Sequence, residues 1–461
     1  MKMQLAEIAK AVDAQNELGD WADVTVTSVN FDSRQLTPGG LFVPLVADHD
    51  GHDYIESAKD HGAVASLWAS DHEASMPTAF PVLVVDDPLA AMQALAQHWL
   101  KKINPQVVAI TGSNGKTTTK DMTASILGTE FNVVKTYANY NNEVGVPFTV
   151  LSMDANTEVL VVEMGMDRFG QLDELSRLVQ PDVAVITMIG EAHIEFFGTR
   201  DKIADAKLEI THGLKEDGRF VFDGDEPLLQ ERAETVANDG LTFGQRSANT
   251  LYPTAIKQDN ATHETTFTVN AWPDETFSMP LLGEYNVNNA LAALTVGNLF
   301  HIRPANLVKG LANVELTANR TQWLTGAVGE AILSDIYNAN PTAMKDVLVM
   351  FAKTPAIGRH IAVLGDMLEL GVNADALHAS VSEALDPETV EELYLVGPHM
   401  KALAEAVADR YDATAVHYYT DDAKDQLIAD LLADVTSTDE VLLKASHGEH
   451  LDVVLEALQK K

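Results

Sequence analysis

The sequence of 461 residues contains no cysteine, which excludes disulfide bonds, thiolate zinc sites and cysteine nucleophiles. Basic residues are few. The chain has 31 Lys and Arg against 68 Asp and Glu, and the net charge of −37 disfavours nucleic acid and anionic membranes as partners. No run of about 18 apolar residues is present, and the N-terminal MKMQLAEIAKAVDAQNE lacks the apolar core of a signal peptide. We therefore expect a cytoplasmic protein without membrane insertion.

Hydrophobic residues make up 46% of the chain, and its length corresponds to about three domains of roughly 150 residues. Continuous apolar runs alternate with helical patterns, which is typical of parallel sheets covered on both faces. The clearest runs are VVAIT at 107–111, VLVVEM at 159–164, DVAVIT at 182–187, AILSDIY at 331–337 and HIAVLGD at 360–366. We predict an α/β fold with three domains: a small N-terminal α/β domain over 1–86, a central domain with a mainly parallel sheet over 87–317, and a Rossmann-like, doubly wound C-terminal domain over 318–461.

The most informative motif is ITGSNGKTTTKDM at 110–122, in which a β-branched run leads through a glycine-rich turn into a helical pattern. This is the context of a phosphate-binding loop: backbone amides surround the phosphates, a lysine reaches the terminal ones, and a hydroxyl binds Mg²⁺. The spacing GxxGKT differs from the general GxxxxGK[ST] pattern, whose first glycine would fall on Ile110, so a generic kinase or GTPase is disfavoured. The candidate ATP-binding residues of the loop are Gly112, Ser113, Asn114, Gly115, Lys116, Thr117 and Thr118.

TGSNGKTTTKDM resembles the nucleotide loop of the Mur ligase family, the ATP-dependent amide-bond-forming enzymes of peptidoglycan precursor synthesis. Further similar segments extend from about residue 31 to about residue 450, so the resemblance covers nearly the whole chain. It implies a P-loop-type ATPase domain in the centre, ATP and Mg²⁺ as cofactors, and a catalytic Lys116. A role in the cell wall, and through it in cell shape and division, also follows from the resemblance.

The resemblance also assigns the candidate metal ligands Thr117, Glu163, His193 and Lys207. Glu163 ends the run VLVVEM, a position from which a carboxylate can face the crevice at the end of a parallel strand. The segment ITMIGEAHIEFFGTRDKIADAKLEI at 186–210 carries the other two side chains. In the family, the lysine that matches Lys207 is carbamylated, which converts a cation into an anionic oxygen ligand; a buried lysine can lose the required proton.

The N-terminal segment FDSRQLTPGGLFVPL at 31–45 is similar to the UDP-binding domain of the family, which makes Ser33 and Arg34 candidates for substrate binding. A salt-bridged loop is the alternative for this short DSR segment. The central segment TYANYNNEVGVPFTVL at 136–151 resembles the asparagine-rich loop that contacts the sugar-peptide substrate. Asn139, Asn141 and Asn142 would supply neutral donors and acceptors there, although any one of them could instead cap a helix.

Later segments carry the remaining candidates. GEYNVNNALAALTVG at 283–297 resembles the family helix in which an asparagine, here Asn289, reads adenine, and Tyr285 departs from the usual histidine. The resemblance assigns nucleotide contacts to Arg320, Asp335 and Asn338, and substrate contacts to Asn340, Lys444 and Ser446. In LLKASHGEHL at 442–451, His447 stands where the family has arginine.

SDIYNANPTAMK at 334–345 and VLGDMLELG at 363–371 resemble the branch of the family that joins D-alanyl-D-alanine to UDP-N-acetylmuramoyl-tripeptide. These two small molecules are the expected substrates, and we expect a monomer. The alternatives are another amino-acid-adding ligase, such as the tripeptide-forming member or a folylpolyglutamate synthetase, and a non-catalytic ATP-binding regulatory protein. Metal-dependent ATP turnover that requires both peptide substrates would distinguish an enzyme from a binding module.

Overall fold

The computed structural model describes residues 1–460, so Lys461, the last residue of the third predicted domain, lies outside the described residues. The predicted α/β fold with mostly parallel sheets is confirmed. Within the described residues, no helix is both long enough and apolar enough to span a bilayer.

The N-terminal part contains a four-stranded parallel sheet in the order β3-β4-β5-β6 and a separate antiparallel pair, β1 and β2. Buried side chains that include Phe42, Trp68 and Val84 form the core beneath this sheet. The strands are β1 (Met3–Gln4), β2 (Thr25–Val26), β3 (Ser28–Asn30), β4 (Gly40–Phe42), β5 (Ala63–Ala69) and β6 (Val82–Val85). The helices are α1 (Leu5–Ala11), α2 (Ile55–Asp60) and α3 (Pro88–Ile103).

The next sheet has six strands in the order β12-β11-β10-β7-β9-β8, where β7 pairs with β9 and β9 with β8 in parallel. Its strands are β7 (Gln106–Thr111), β8 (Val133–Lys135), β9 (Val159–Glu163), β10 (Val183–Ile186), β11 (Arg219–Asp223) and β12 (Gly240–Phe243). The helices along it are α4 (Lys116–Leu127), α5 (Gly145–Ser152), α6 (Gln171–Val179), α7 (Ile194–Phe197), α8 (Arg200–Leu208) and α9 (Pro227–Ala233).

A three-stranded antiparallel sheet follows, which is not among the elements predicted from the sequence. Its strands are β13 (Pro253–Asp259), β14 (Glu264–Val269) and β15 (Trp272–Met279). In the middle strand Thr265, Phe267 and Val269 are buried and alternate with partly exposed residues, so one face of the sheet packs inward. Two helices complete this part of the chain, α10 (Glu284–Leu299) and α11 (Pro304–Ala312).

The C-terminal sheet has the order β16-β17-β21-β18-β19-β20, in which only the edge pair β16 and β17 is antiparallel. Both faces of the strands are covered: Leu333 and Leu442 belong to one core, whereas Ile332 and Val441 belong to the other. The strands are β16 (Gln322–Thr325), β17 (Ala331–Asp335), β18 (His360–Gly365), β19 (Glu392–Val396), β20 (Val416–Tyr419) and β21 (Glu440–Lys444). The helices are α12 (Pro341–Phe351), α13 (Ala374–Ser380), α14 (Met400–Val407), α15 (Lys424–Asp434) and α16 (Asp452–Gln459).

By its internal packing the chain forms two compact units. The first comprises residues 1–111, 130–185 and 209–220; the second comprises residues 112–129, 186–208 and the described chain from 221 onward. The division into three consecutive domains at 86 and 317 stays a prediction.

Within the second unit, helix α4 is held from two sides. Ser125 Oγ donates to Gly310 O of α11 at 2.6 Å, so the two helix backbones approach closely. Farther along the chain, Asp121 Oδ2 accepts from Thr317 N at 2.9 Å and from Thr317 Oγ1 at 2.8 Å. The helix that follows the glycine-rich loop is therefore anchored to the segment just before β16.

Replacing Gly310 with alanine should destabilise the protein. The added Cβ would lie 2.6 Å from Ile126 Cα and 3.0 Å from Ser125 O, and backbone atoms cannot yield as a flexible side chain does. Overpacking of this kind costs about 1–3 kcal/mol, which outweighs or offsets the gain in helix propensity of about 1 kcal/mol. Urea unfolding of Gly310→Ala should show a lower free energy of unfolding. Ala305→Ser, at an exposed position of the same helix, is the control, and an equally stable Gly310→Ala would contradict the close packing.

Candidate active site

The glycine-rich loop leaves β7 at Thr111 and enters α4 at Lys116, as the sequence predicts. Gly115 has a φ of +80°, and a Cβ at this position would lie 2.2 Å from Asn289 Oδ1. A Cβ on Gly112 would lie 1.8 Å from Thr187 Oγ1. Side chains of Thr187 and Asn289 therefore fill the space beside the two glycines. Because a Cβ at either glycine would clash with them, the loop can adopt this path only with glycine at both positions.

Hydrogen bonds from the segment after β10 hold the loop in place. Ser113 N donates to Met188 O at 2.9 Å, and Thr187 Oγ1 donates to Asn114 O at 2.5 Å. Lys116 Nζ donates to Gly112 O at 2.8 Å, so the lysine folds back over the loop. The backbone of the loop is fixed while its cation lies at the start of helix α4, where phosphate groups are favoured.

Lys207 is buried in the second unit, on helix α8. Burial lowers the pKa of its amine well below the usual value, and the nearby positive charge of Lys116 lowers this pKa further. A neutral amine is the form that reacts with CO₂, so the environment of Lys207 favours carbamate chemistry. The same environment would repel a bound cation if Lys207 kept its proton.

Asn289 lies against the glycine-rich loop. Its Oδ1 accepts from Thr119 Oγ1 at 3.3 Å, and its Nδ2 donates to Asn286 Oδ1 at 3.1 Å. The preceding Tyr285 packs at the edge of a C-terminal core, where burial raises the pKa of its hydroxyl and the nearby Asp335 carboxylate raises it further. The side chain that replaces the family histidine is thus a packing residue, while the adenine contact of Asn289 stays a prediction.

Glu163 lies in the first unit at the end of β9, beside Ile110 of β7. Asn141 Nδ2 donates to Glu163 Oε1 at 2.8 Å, and Glu163 N donates to Thr136 Oγ1 at 3.0 Å. The asparagine-rich loop therefore orients the carboxylate that the sequence assigns to metal binding. Asn142 has a different task, because its Oδ1 accepts from Gly145 N at 2.9 Å near the start of α5.

The segments that carry Ser33 and the asparagines meet through aromatic rings, also in the first unit. Phe31 packs edge-on against Tyr140 and Phe148, with ring centroids 5.9 and 5.4 Å apart. Ser33 is buried, and its hydroxyl donates to Ser57 Oγ at 3.1 Å. This packing brings the DSR segment to the asparagine-rich loop, although the two are separated by about a hundred residues in sequence.

Arg34 is largely exposed and forms the salt-bridged loop that was the alternative to a substrate contact. Its Nε and Nη2 donate to the two carboxylate oxygens of Asp32 at 2.9 Å each. The guanidinium lowers the pKa of Asp32 to about 2. Substrate binding by Arg34 stays a prediction. Asn139 is likewise exposed, and its backbone oxygen accepts from Asn141 N at 2.7 Å.

In the C-terminal sheet, Asp335 and Lys444 occupy matching positions at the ends of the neighbouring strands β17 and β21 and form an ion pair. Lys444 Nζ also donates to Asn338 O at 3.2 Å, and Asp335 Oδ1 accepts from Thr321 N at 3.1 Å. The predicted nucleotide and substrate residues of this region thus form one connected group.

Arg320 lies next to this group, with its guanidinium carbon 3.9 Å from the ring centroid of Tyr337. The ring of His447 stacks near the same tyrosine, at 6.0 Å and an interplanar angle of 23°. The histidine that replaces the family arginine therefore contributes to an aromatic group rather than standing alone. A flat platform with a cation on it suits a planar ring such as a nucleobase.

Asn340 and Asn114 bond to each other through both amides. Asn114 Nδ2 donates to Asn340 Oδ1 at 3.2 Å, and Asn340 Nδ2 donates to Asn114 Oδ1 at 2.6 Å. Asn340 also caps α12, because its Oδ1 accepts from Ala343 N at 3.0 Å. Ser446 accepts from Leu368 N at 2.9 Å, which ties two C-terminal loops together. The paired amides of Asn114 and Asn340 therefore join the glycine-rich loop directly to the segment YNANP at 337–341.

His193 occupies the N-cap position of the short helix α7 with a φ of +62°, and its Nδ1 lies beside Glu369 Oε2. The imidazole lowers the pKa of the Glu369 carboxyl. Nearby, Thr342 Oγ1 donates to Glu191 Oε2 at 2.7 Å. Two segments of the second unit, 191–195 and 340–369, therefore contact each other around the predicted metal-binding histidine.

The chain matches known families and structures along nearly its whole length. Residues 110–297 match the Mur ligase middle domain, and residues 319–447 match the Mur ligase, glutamate ligase domain. The UDP-N-acetylmuramoyl-tripeptide--D-alanyl-D-alanine ligase of Bacillus subtilis (strain 168) is 37% identical to this chain, over 99% of this chain and 98% of its own length. The chain belongs to the Mur ligase family.

Two solved structures resemble this Mur ligase. MurF from Acinetobacter baumannii is 26% identical with a TM-score of 0.87, covering 100% of this chain and 99% of its own. MurF ligase from Thermotoga maritima, solved in complex with ADP, is 27% identical with a TM-score of 0.80, covering 94% and 97% of the two chains. The predicted membership of the family is confirmed, and with it an ATP-dependent ligase that forms C–N bonds.

Several contacts in this Mur ligase escaped the sequence analysis. Thr187 immediately follows β10, so its position at a strand end was a usable signal. Glu369 lies within the motif VLGDMLELG, but nothing local to that motif indicates a partner 176 residues earlier in the chain. Thr136 and Asn286 are ordinary polar residues whose roles arise only from their tertiary neighbours.

Substitutions at Asn340 of this Mur ligase should separate its two contacts. Asn340→Ala removes the cap of α12 and the bond to Asn114, and loss of such a cap costs about 0.5–2 kcal/mol. Asn340→Asp retains an oxygen for Ala343 N but removes the donor to Asn114 Oδ1. Urea unfolding at pH 7 should show that both variants lose stability, alanine through the lost cap and aspartate through the burial of a carboxylate, and aspartate should regain stability at low pH, where the carboxyl is neutral and the cap is retained, whereas alanine should not; titration calorimetry should show weaker ADP binding in both. Equal loss of stability in the two variants at low pH would contradict the capping role.

Proposed function

We propose that this Mur ligase joins D-alanyl-D-alanine to UDP-N-acetylmuramoyl-tripeptide, with ATP hydrolysed to ADP and phosphate. The observation that carries the proposal is the 37% identity to the B. subtilis ligase over nearly the full length of both chains. The T. maritima MurF structure with bound ADP and the geometry of the glycine-rich loop support ATP as the phosphoryl donor.

The reaction begins with transfer of the terminal phosphoryl group of ATP to the free carboxylate of the tripeptide. Loop amides near Gly112 and Gly115 and the ammonium of Lys116 would bind the phosphates and stabilise the charge that builds up in the transition state. Lys116 now bonds to Gly112 O and would turn from that carbonyl to the phosphates. Asn289, Arg320, Asp335 and Asn338 are the proposed residues for the adenosine end.

The second step forms the amide bond. The neutral amine of D-alanyl-D-alanine attacks the acyl phosphate, and the tetrahedral intermediate releases phosphate to give UDP-N-acetylmuramoyl-pentapeptide. The chain contributes orientation more than covalent chemistry, because two bound reactants held in contact gain a large effective concentration. The proposed substrate residues are Ser33, Arg34, Asn139, Asn141, Asn142, Asn340, Lys444 and Ser446.

We propose Thr117, Glu163, His193 and a carbamylated Lys207 as the residues that hold Mg²⁺. A hydroxyl, a carboxylate and a carbamate offer the oxygen ligands that Mg²⁺ prefers, so the donor chemistry fits the ion. The fit depends on Lys207 losing its positive charge, which its buried position supports. When bound, Mg²⁺ would neutralise phosphate charge during the transfer.

Three further features belong to the proposal. A UDP-binding N-terminal domain, a central ATPase domain and a C-terminal ligase domain would divide near residues 86 and 317, and the gap between the two family matches, at 297 and 319, supports the second boundary. A monomer in the cytoplasm, where ATP is available, fits the reaction. A contribution to cell shape and division would follow from peptidoglycan synthesis.

The proposed reaction predicts ADP release only when all reactants are present. Purified protein with Mg²⁺, ATP and UDP-N-acetylmuramoyl-tripeptide should turn over with D-alanyl-D-alanine and not with single amino acids. Mass spectrometry of the product should show the pentapeptide. Turnover that required a UDP-N-acetylmuramoyl-dipeptide and a diamino acid would shift the assignment to another Mur ligase, and ATP binding without turnover on any acceptor would favour a regulatory protein.

Lys207→Ala should abolish the proposed carbamate and reduce turnover. Protein equilibrated with ¹³C-bicarbonate should give a carbamate signal by NMR that disappears in this variant. Loss of a metal-binding group should lower turnover by at least about 10–100-fold, the range for residues that merely support metal ligands. Lys202→Ala, at an exposed lysine of the same helix, is the control. A wild-type rate in Lys207→Ala would contradict the role of this residue.

A further inference from the structure

The contact between His193 and Glu369 is built into the backbone on both sides. His193 has a φ of +62° and Glu369 a φ of +60°, a region that residues with a side chain seldom occupy. Such conformations persist only where the surroundings enforce them. Histidine is among the residue types that are enriched in this region, whereas glutamate is not, so the backbone of Glu369 is the one that its surroundings must enforce.

The two segments also meet through backbone atoms. Glu195 N donates to Glu369 O at 3.0 Å. A Cβ on Gly371 would lie 3.3 Å from Glu195 Cα, so glycine permits the close approach of the 369–371 segment to the loop after His193. The backbone of Glu369 is therefore held beside the helix that follows His193, with its carboxylate within reach of the imidazole.

The atoms in contact decide which nitrogen of the ring is available. Glu369 Oε2 lies beside His193 Nδ1, and a proton on Nδ1 would leave Nε2 with its lone pair. Histidines that bind metals commonly donate their other N–H to a carboxylate, which fixes both the tautomer and the orientation of the ring. Glu369 contacts Nδ1, and Nε2 is then the nitrogen suited to a metal ion.

We propose that Glu369 is a positioning residue that holds the His193 imidazole with Nε2 directed to metal binding. The proposal rests on the metal role of His193 proposed above. Glu369 belongs to the C-terminal sheet region, whereas His193 follows the strand beside the phosphate-binding loop. Docking of the 369–371 segment thus completes the histidine ligand, as the paired amides of Asn114 and Asn340 complete the loop.

Mn²⁺ provides a direct readout, because its binding can be measured by electron paramagnetic resonance without turnover. Full-length protein with ADP should show one Mn²⁺ site, which His193→Ala weakens to a lower but still measurable affinity. Glu369→Ala should weaken that same site by about 10–100-fold, as expected for a residue that orients a ligand. Glu369→Gln keeps an oxygen for the Nδ1–H and should weaken it less. Glu405→Gln, at an exposed position of α14, is the control and should bind like wild type.

The double variant separates positioning from a general structural effect. Once His193 is gone, removing Glu369 as well should produce no further loss of Mn²⁺ affinity, because the two act as a unit. Imidazole ¹⁵N shifts should show the Nδ1–H tautomer of His193 in the wild type and a mixture of tautomers in Glu369→Ala. This second readout does not depend on the reaction.

Wild-type Mn²⁺ affinity and an unchanged tautomer in Glu369→Ala, with affinity still weakened in His193→Ala, would overturn the role of Glu369 while leaving the metal site in place. Unchanged affinity in both variants would overturn the metal role of His193 and this inference with it. If Glu369→Ala does not fold, Glu369→Gln and its tautomer spectrum carry the same test.

Discussion

The geometry of the site depends on steric contact at two glycines. Side chains from two distant parts of the chain, Thr187 and Asn289, occupy the space where Cβ atoms would stand at Gly112 and Gly115. Because these neighbours also hydrogen-bond to the loop and to α4, they fix the loop before any ligand arrives. Without these contacts the loop would be flexible, and the conformational entropy lost when a nucleotide ordered it would reduce the binding affinity. Close packing around the two glycines therefore pre-organises the loop and lowers the entropic cost of binding a nucleotide.

Electrostatics imposes a second constraint. The chain carries a net charge of −37, yet Lys116 and the buried Lys207 lie close enough for one to lower the pKa of the other. Keeping both ammonium groups charged at this separation would cost free energy, because burial and a neighbouring like charge both disfavour the charged form. Conversion of one to a carbamate would turn mutual repulsion into attraction and leave Lys116 as the cation for phosphate. The chemical difference between the two lysines would then arise from the burial of Lys207 and from the positive charge of Lys116 beside it.

Local patterns in the sequence predicted the parallel strands, the glycine-rich loop and the helix that follows this loop, because each depends on neighbours in the chain. The middle strand β14 was missed, although its alternation of buried and partly exposed residues was visible in ETTFTV. The pairing of Glu369 with His193 and of Asp121 with Thr317 could not be predicted, since ordinary acidic residues reveal nothing about partners more than 150 positions away. Asn142 shows the opposite case, in which a residue from an informative cluster serves as a cap. Sequence motifs were sufficient to predict the family, whereas the hydrogen bonds that connect one motif to another are visible only in the folded structure.

The bond between Asp121 and Thr317 sets a mechanical limit. Helix α4 holds Thr317, and β16 begins at Gln322, so only residues 318–321 lie between the anchor and the first strand of the C-terminal sheet. The five Cα–Cα steps from Thr317 to Gln322 reach at most about 18 Å when fully extended. As long as Thr317 stays bonded to Asp121, residues 318–321 form a short linker that limits how far β16 can move from helix α4. Any displacement of β16 beyond that reach must pull on the loop helix or release Thr317.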